Sequence, residues 1–80
     1  MKQIKVVWSN GDCIVANISK ARRSYTKYGE FRQIEPNIIE HASFSGHYRF
    51  YVSTGKVELD TGPETREASC TFTIGDNLQI

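Results

Sequence analysis

The chain has no apolar run near the roughly 18 residues that a membrane span needs. Its opening stretch, MKQIKVVWSNGD, lacks the uncharged core and the cleavage site of a signal peptide. These absences point to the cytoplasm and away from the membrane. Cysteine is scarce: Cys13 and Cys70 are the two present, both in strand-like contexts where a reduced thiol acts as a small apolar side chain. A disulfide between them requires neighbouring strands, and a cytoplasmic setting argues against it. Net charge is nearly absent too. At +1, it falls far short of the basic footprint of a dedicated nucleic-acid binder.

Chemical motifs are missing as well. Cys13, His41, His47 and Cys70 stand at no paired metal-ligand spacing. No GxSxG elbow frames a nucleophile, and neither GxGxxG nor GxxxxGK[ST] is present to cradle a phosphate. The expectation is a protein without metal or cofactor that is not an enzyme.

What the chain does have is β-pattern. Eighty residues suffice for one domain, residues 1–80, which buries about 60% of the surface its unfolded form exposes. Ile4–Ser9 and Asp12–Ile18 flank Asn10-Gly11, the signature of a two-residue hairpin turn. That turn pairs Trp8 with Cys13 and Val6 with Val15. Both faces of the hairpin are apolar near the turn, so it should lie centrally or be covered on two sides.

Glu30–Ile34 reads as a strand stopped by Pro36. Asn37–Gly46 is either a bulged strand or a helical turn, with Ile38, Ile39 and Phe44 in need of burial. His47–Val52 and Lys56–Asp60 form a second hairpin. Its four-residue loop ends in Gly55, because a two-residue loop would force Thr54 towards positive φ. Phe50 then faces Val57, Tyr48 faces Leu59 and Arg49 faces Glu58. Thr61–Arg66 is an exposed turn. Ala68, Cys70, Phe72 and Ile74 alternate with polar residues as the core side of a last long strand, and Leu78–Ile80 can add a short one.

One window departs from this pattern. Ser19–Ile34 holds Lys20, Arg22, Arg23, Lys27 and Arg32 against a single acid, Glu30, a formal +4 within a chain of +1. Tyr25, Tyr28 and Phe31 are set among these charges. Ser19 as an N-cap, Gly29 beyond the C-terminus and Ala21, Tyr25 and Tyr28 at i, i+4 and i+7 predict a short helix near residues 20–28. An irregular loop is the alternative, since Ser, Tyr and Thr in succession are poor helix formers.

The fold expected is therefore mainly β, with a small α+β arrangement as a variant. It is antiparallel, a small partly open barrel or sandwich of about six strands with that one helix. Lys20, Arg22, Arg23, Tyr25, Lys27, Tyr28 and Arg32 are the expected partner-binding residues. Arg and Tyr anchor protein interfaces, so a partner protein with an acidic surface is one reading. The alternative is single-stranded nucleic acid, whose bases stack on aromatic rings while cations follow the phosphates. The turn KVVWSNGD (Lys5–Asp12) resembles the N-terminal hairpins of short phage-encoded proteins. That resemblance implies an accessory protein that inhibits a host factor. Tyr48, Phe50 and Val52, placed near a sheet border, also suggest a homodimer by edge pairing or face packing.

Overall fold

A computed structural model describes residues 2–79. β-Branched and aromatic residues at alternating positions build eight strands: β1 (Gln3–Trp8), β2 (Cys13–Ser19), β3 (Phe31–Glu35), β4 (Ile38–Ser43), β5 (Gly46–Tyr51), β6 (Lys56–Asp60), β7 (Thr65–Glu67) and β8 (Cys70–Gly75). They form one sheet in the order β7-β6-β5-β4-β3-β2-β1-β8. Every pairing is antiparallel except β2 with β3. The two border strands, β7 and β8, are joined by only Ala68-Ser69. The sheet must therefore curl until its borders approach each other, and it is a partly open barrel. Ala68 N–H donates to the Val57 carbonyl of β6 at 2.9 Å, and Ser9 N–H to the Ser69 carbonyl at 3.1 Å, which fastens the seam at that point.

The concave face carries the core. Ile4, Val6, Ile18, Phe31, Ile39, Phe50 and Val57 are buried there, with Trp8, Ala16, Tyr48 and the predicted series Ala68, Cys70, Phe72 and Ile74 packed around them. Phe72 meets Phe50 edge-on at 5.3 Å between centroids, tying a border strand to β5 in the middle of the sheet. Aromatic rings, Phe31 and Phe50 above all, fill much of this core.

The second hairpin has the predicted register: Phe50 opposite Val57, Tyr48 opposite Leu59 and Arg49 opposite Glu58. Gly55 takes φ 76° at the end of its loop, and its N–H donates to the Tyr51 carbonyl at 2.8 Å. The first hairpin differs by one residue. Val7 pairs with Cys13, and Val6 with Ile14. Gly11 alone adopts positive φ in that turn, at 94°. Its N–H donates to the Trp8 carbonyl at 3.0 Å, while Trp8 N–H donates to the Asp12 carbonyl at 2.8 Å. This is a three-residue loop, Ser9-Asn10-Gly11, with a glycine bulge. It spares Asn10 a left-handed backbone and lets its side-chain oxygen accept from Asp12 N–H at 2.9 Å. The slip exchanges the faces of β2: Ala16 and Ile18 turn to the core, and Val15 turns away.

Other expectations need correction. Among the described residues there are eight strands rather than about six, and no helix: 20–28 is irregular. β5 is interior to the sheet, so Tyr48, Phe50 and Val52 provide no border for a homodimer. Asn37–Gly46 resolves as β4 and a turn, and Phe44 in that turn is 94% exposed instead of buried. Leu78 and Gln79 form no strand, and Ile80 lies outside the described residues. Cys13 and Cys70 are free thiols; β1 separates their strands, and their registers with Val7 and Trp8 put them on opposite faces. No helix among the described residues is long and apolar enough to cross a membrane.

Candidate docking surface

The parallel pairing of β2 with β3 places Ile18 beside Phe31 and Ser19 beside Arg32. Residues 20–30 must then leave the end of β2 and return to the start of β3. With no helix, the segment runs as a strap over the convex face of β3 and β4. Three ties hold it, two through side chains and one through backbone.

Arg32 is buried beneath the strap, at 6% exposed. Its Nη1–H donates to the carbonyls of Arg23 at 2.8 Å and Ala21 at 3.4 Å. Its Nε–H donates to Thr26 Oγ1 at 3.1 Å. Thr26 in turn donates to Glu40 Oε1 at 2.6 Å. Thr26 and Glu40 are buried with it, so each polar group has a partner, as burial demands. Arg23 pairs with both carboxylate oxygens of Glu30. The hydrogen bond from Arg23, helped by Lys27 N–H at 3.0 Å, lowers the Glu30 carboxyl from its ordinary range to about 2. The third tie is backbone. Glu30 N–H donates to the Lys27 carbonyl at 3.0 Å, and Gly29 N–H to the Ala42 carbonyl at 2.7 Å. Gly29, at φ 82°, makes this tight turn feasible.

Two of the seven predicted contact residues are therefore structural. Arg32 is a buried tie and not a projecting cation. Arg23 is spent on Glu30 and lies 5.4 Å from the Tyr25 ring centroid. A helical reading could not foresee this, because it sent the cations outward by periodicity. The remaining five stay on the surface: Lys20, Arg22 and Lys27 are exposed, as are Tyr25 at 57% and Tyr28 at 76%. Tyr51, on β5, donates to Glu58 Oε1 at 2.8 Å, which raises its phenol above its ordinary range.

Phe44 joins the group. Tyr28 bridges Ala42 at the end of β4, and the β4–β5 turn that follows carries Phe44, so both turns stand at one end of the barrel. Three aromatic rings share this region with Lys27, whereas Lys20 and Arg22 lie at the other end of the strap, in a groove with Glu35 and Pro36. The sequence signal for Phe44 was its position directly before Ser45-Gly46, a turn tip where a large apolar side chain cannot reach the core.

A polar cleft adjoins the strap. Glu40 faces Arg49 Nε at 3.5 Å and His47 Nδ1 at 3.8 Å, and Arg49 Nη1 reaches Asp60 Oδ2 at 3.6 Å. These residues come from β4, β5 and β6 and form no linear motif. Arg49 faces Glu58 in register but makes its ion pairs with Glu40 and Asp60. Among the described residues no three His, Cys, Asp or Glu side chains converge as metal ligands. His41, across the sheet, stacks on Phe31 at 3.9 Å between centroids, with Nδ1 3.2 Å from the Glu30 carbonyl. A carbonyl can only accept, so Nδ1 carries the proton. Comparison of the chain with protein-family models, with curated proteins and with solved structures finds no match.

Proposed function

We propose that this protein is a non-enzymatic docking module whose contact surface is the strap over residues 20–30 together with Phe44. The observation that carries the reading is the exposure of Tyr25, Tyr28 and Phe44 on backbone that buried side chains hold in place. Displaying rings on a fixed frame lowers the entropy lost on association. Lys27, next to Tyr28 in the chain, and Lys20 and Arg22 at the far end of the strap favour a partner protein with an acidic rim and an apolar recess for Phe44. Inhibition or bridging of a larger cytoplasmic protein, in a phage-type accessory role, is the form of docking that suits so small a chain. Loss of Arg23 and Arg32 to internal ties leaves three cations to neutralise phosphates, which weakens the single-stranded nucleic-acid alternative.

The test uses pull-downs with wild type, Arg22→Glu/Lys27→Glu and Phe44→Ser, each repeated with single-stranded oligonucleotides over a salt series. Arg23 is left intact, because reversing it would release Glu30 and unfasten the strap. Stoichiometric capture of one protein by wild type, lost in both variants, is the expected result. Oligonucleotide binding that falls steeply with salt overturns it in favour of nucleic acid, and capture unchanged by both variants removes this surface from the function.

A further inference from the structure

The two borders of the sheet are built differently. β7 is three residues long, Thr65-Arg66-Glu67, all exposed and two of them charged. Short, charged edges of this kind resist pairing with other chains. β8 is six residues long and, from Ala68 to Gly75, carries no charge and no proline. It is hydrogen-bonded to β1 along one side. Beyond the seam at Ala68-Ser69, no described backbone group pairs with its other side. After Gly75 the chain bends back towards β1, where Leu78 N–H donates to Gln3 Oε1 at 2.9 Å. The border from Cys70 to Gly75 is thus an open row of donors and acceptors.

The side chains on this border are also incompletely covered. Cys70, Phe72 and Ile74 point to the core yet are only half-buried. On the convex side the register sets Thr71 beside Val7 and Cys13, and Val7 remains 37% exposed. The apolarity of both faces of the first hairpin called for cover on two sides, and a single chain does not supply it there.

We infer that β8 is the contact strand of a homodimer, in which a second copy aligns its own β8 antiparallel and continues the sheet. Antiparallel pairing of identical strands is a two-fold operation that closes on itself. An uncharged strand brings no like-charge pair into that alignment. The second copy also extends the concave face beside Cys70, Phe72 and Ile74, where cover is missing. This inference does not depend on the docking surface, which is built on the strap and the β4–β5 turn. One strand pair is a small interface, so the dimer forms and dissociates with concentration.

The experiment is sedimentation equilibrium on the full chain across a concentration series, with Thr71→Lys/Thr73→Lys as the border variant. Both positions are exposed, so lysine there leaves the core alone, and a thermal melt confirms the fold of the diluted variant. Wild type should pass from monomer to dimer, and the variant should stay monomeric. Thr65→Lys on β7 should dimerise as wild type does. Amide exchange supplies an independent readout: the β8 amides facing away from β1 should exchange roughly tenfold or more slowly in concentrated than in dilute solution. A monomer at every concentration, a dimer indifferent to the β8 lysines, or open-ended aggregation each overturns the inference.

Discussion

Thr26 is the smallest part on which the strap depends, because one hydroxyl serves two charged groups. It accepts from Arg32 and donates to Glu40, and valine has the shape but neither capacity. Thr26→Val should cost about 1–3 kcal/mol, the penalty of leaving buried polar groups unpaired, while Thr26→Ser should retain most of the stability. Urea midpoints of the three proteins check this. His41 sets a second residue-scale expectation. Burial lowers its pKa from 6.5, so below about pH 6.5 the unfolded chain binds a proton that the folded one resists. Stability should be level above that pH as far as His41 is concerned, and should decline as pH falls towards the lowered folded value. His41→Phe keeps a ring against Phe31 and should flatten that part of the melting-temperature profile.

Elements were legible in the sequence wherever turn chemistry and side-chain pairing constrained each other. In β5–β6 the refusal of Thr54 to take positive φ and the pairing of Phe50 with Val57 selected one loop. At Asn10-Gly11 both candidate loops place Gly in its preferred conformation, and both leave apolar residues on each face, so pattern could not choose the register. The strap was the hardest to read: its shape comes from Arg32, Thr26 and Glu40, contacts between positions 6 and 14 apart that no local periodicity encodes. Phe44 was misplaced because hydrophobicity was counted without asking whether the turn could reach the core. Turns also fix an element-scale prediction. A Cβ on Gly46, at φ 132°, would collide with the Asp60 carbonyl oxygen, whereas one on Gly55, at φ 76°, meets nothing within 4 Å. Gly55→Ala should cost about 1–2 kcal/mol for its left-handed backbone alone. Gly46→Ala must also push β5 away from the end of β6, so its loss of melting temperature should be clearly larger.

Across the whole molecule, stability and display fall to different phenylalanines. Phe72 stands on the border strand and reaches Phe50 near the centre of the sheet, so it helps hold the curl that brings Ala68 to Val57. Phe44 is 94% exposed and has almost no apolar area left to lose on unfolding. Phe72→Ala should therefore cost about 3 kcal/mol, at the low end for truncating a packed phenylalanine since it is only half-buried. For a chain of this size that corresponds to a fall of roughly 12 °C or more in melting temperature. Phe44→Ser should change stability by no more than about 0.5 kcal/mol, the usual range for a surface substitution. Paired thermal melts, run dilute so that association through β8 does not contribute, give both numbers. If Phe44→Ser melts like Phe72→Ala, the β4–β5 turn belongs to the core and the docking surface loses its most exposed ring. If the two separate as expected, that ring is retained on the surface without a folding role, and loss of partner capture by Phe44→Ser reports on contact alone.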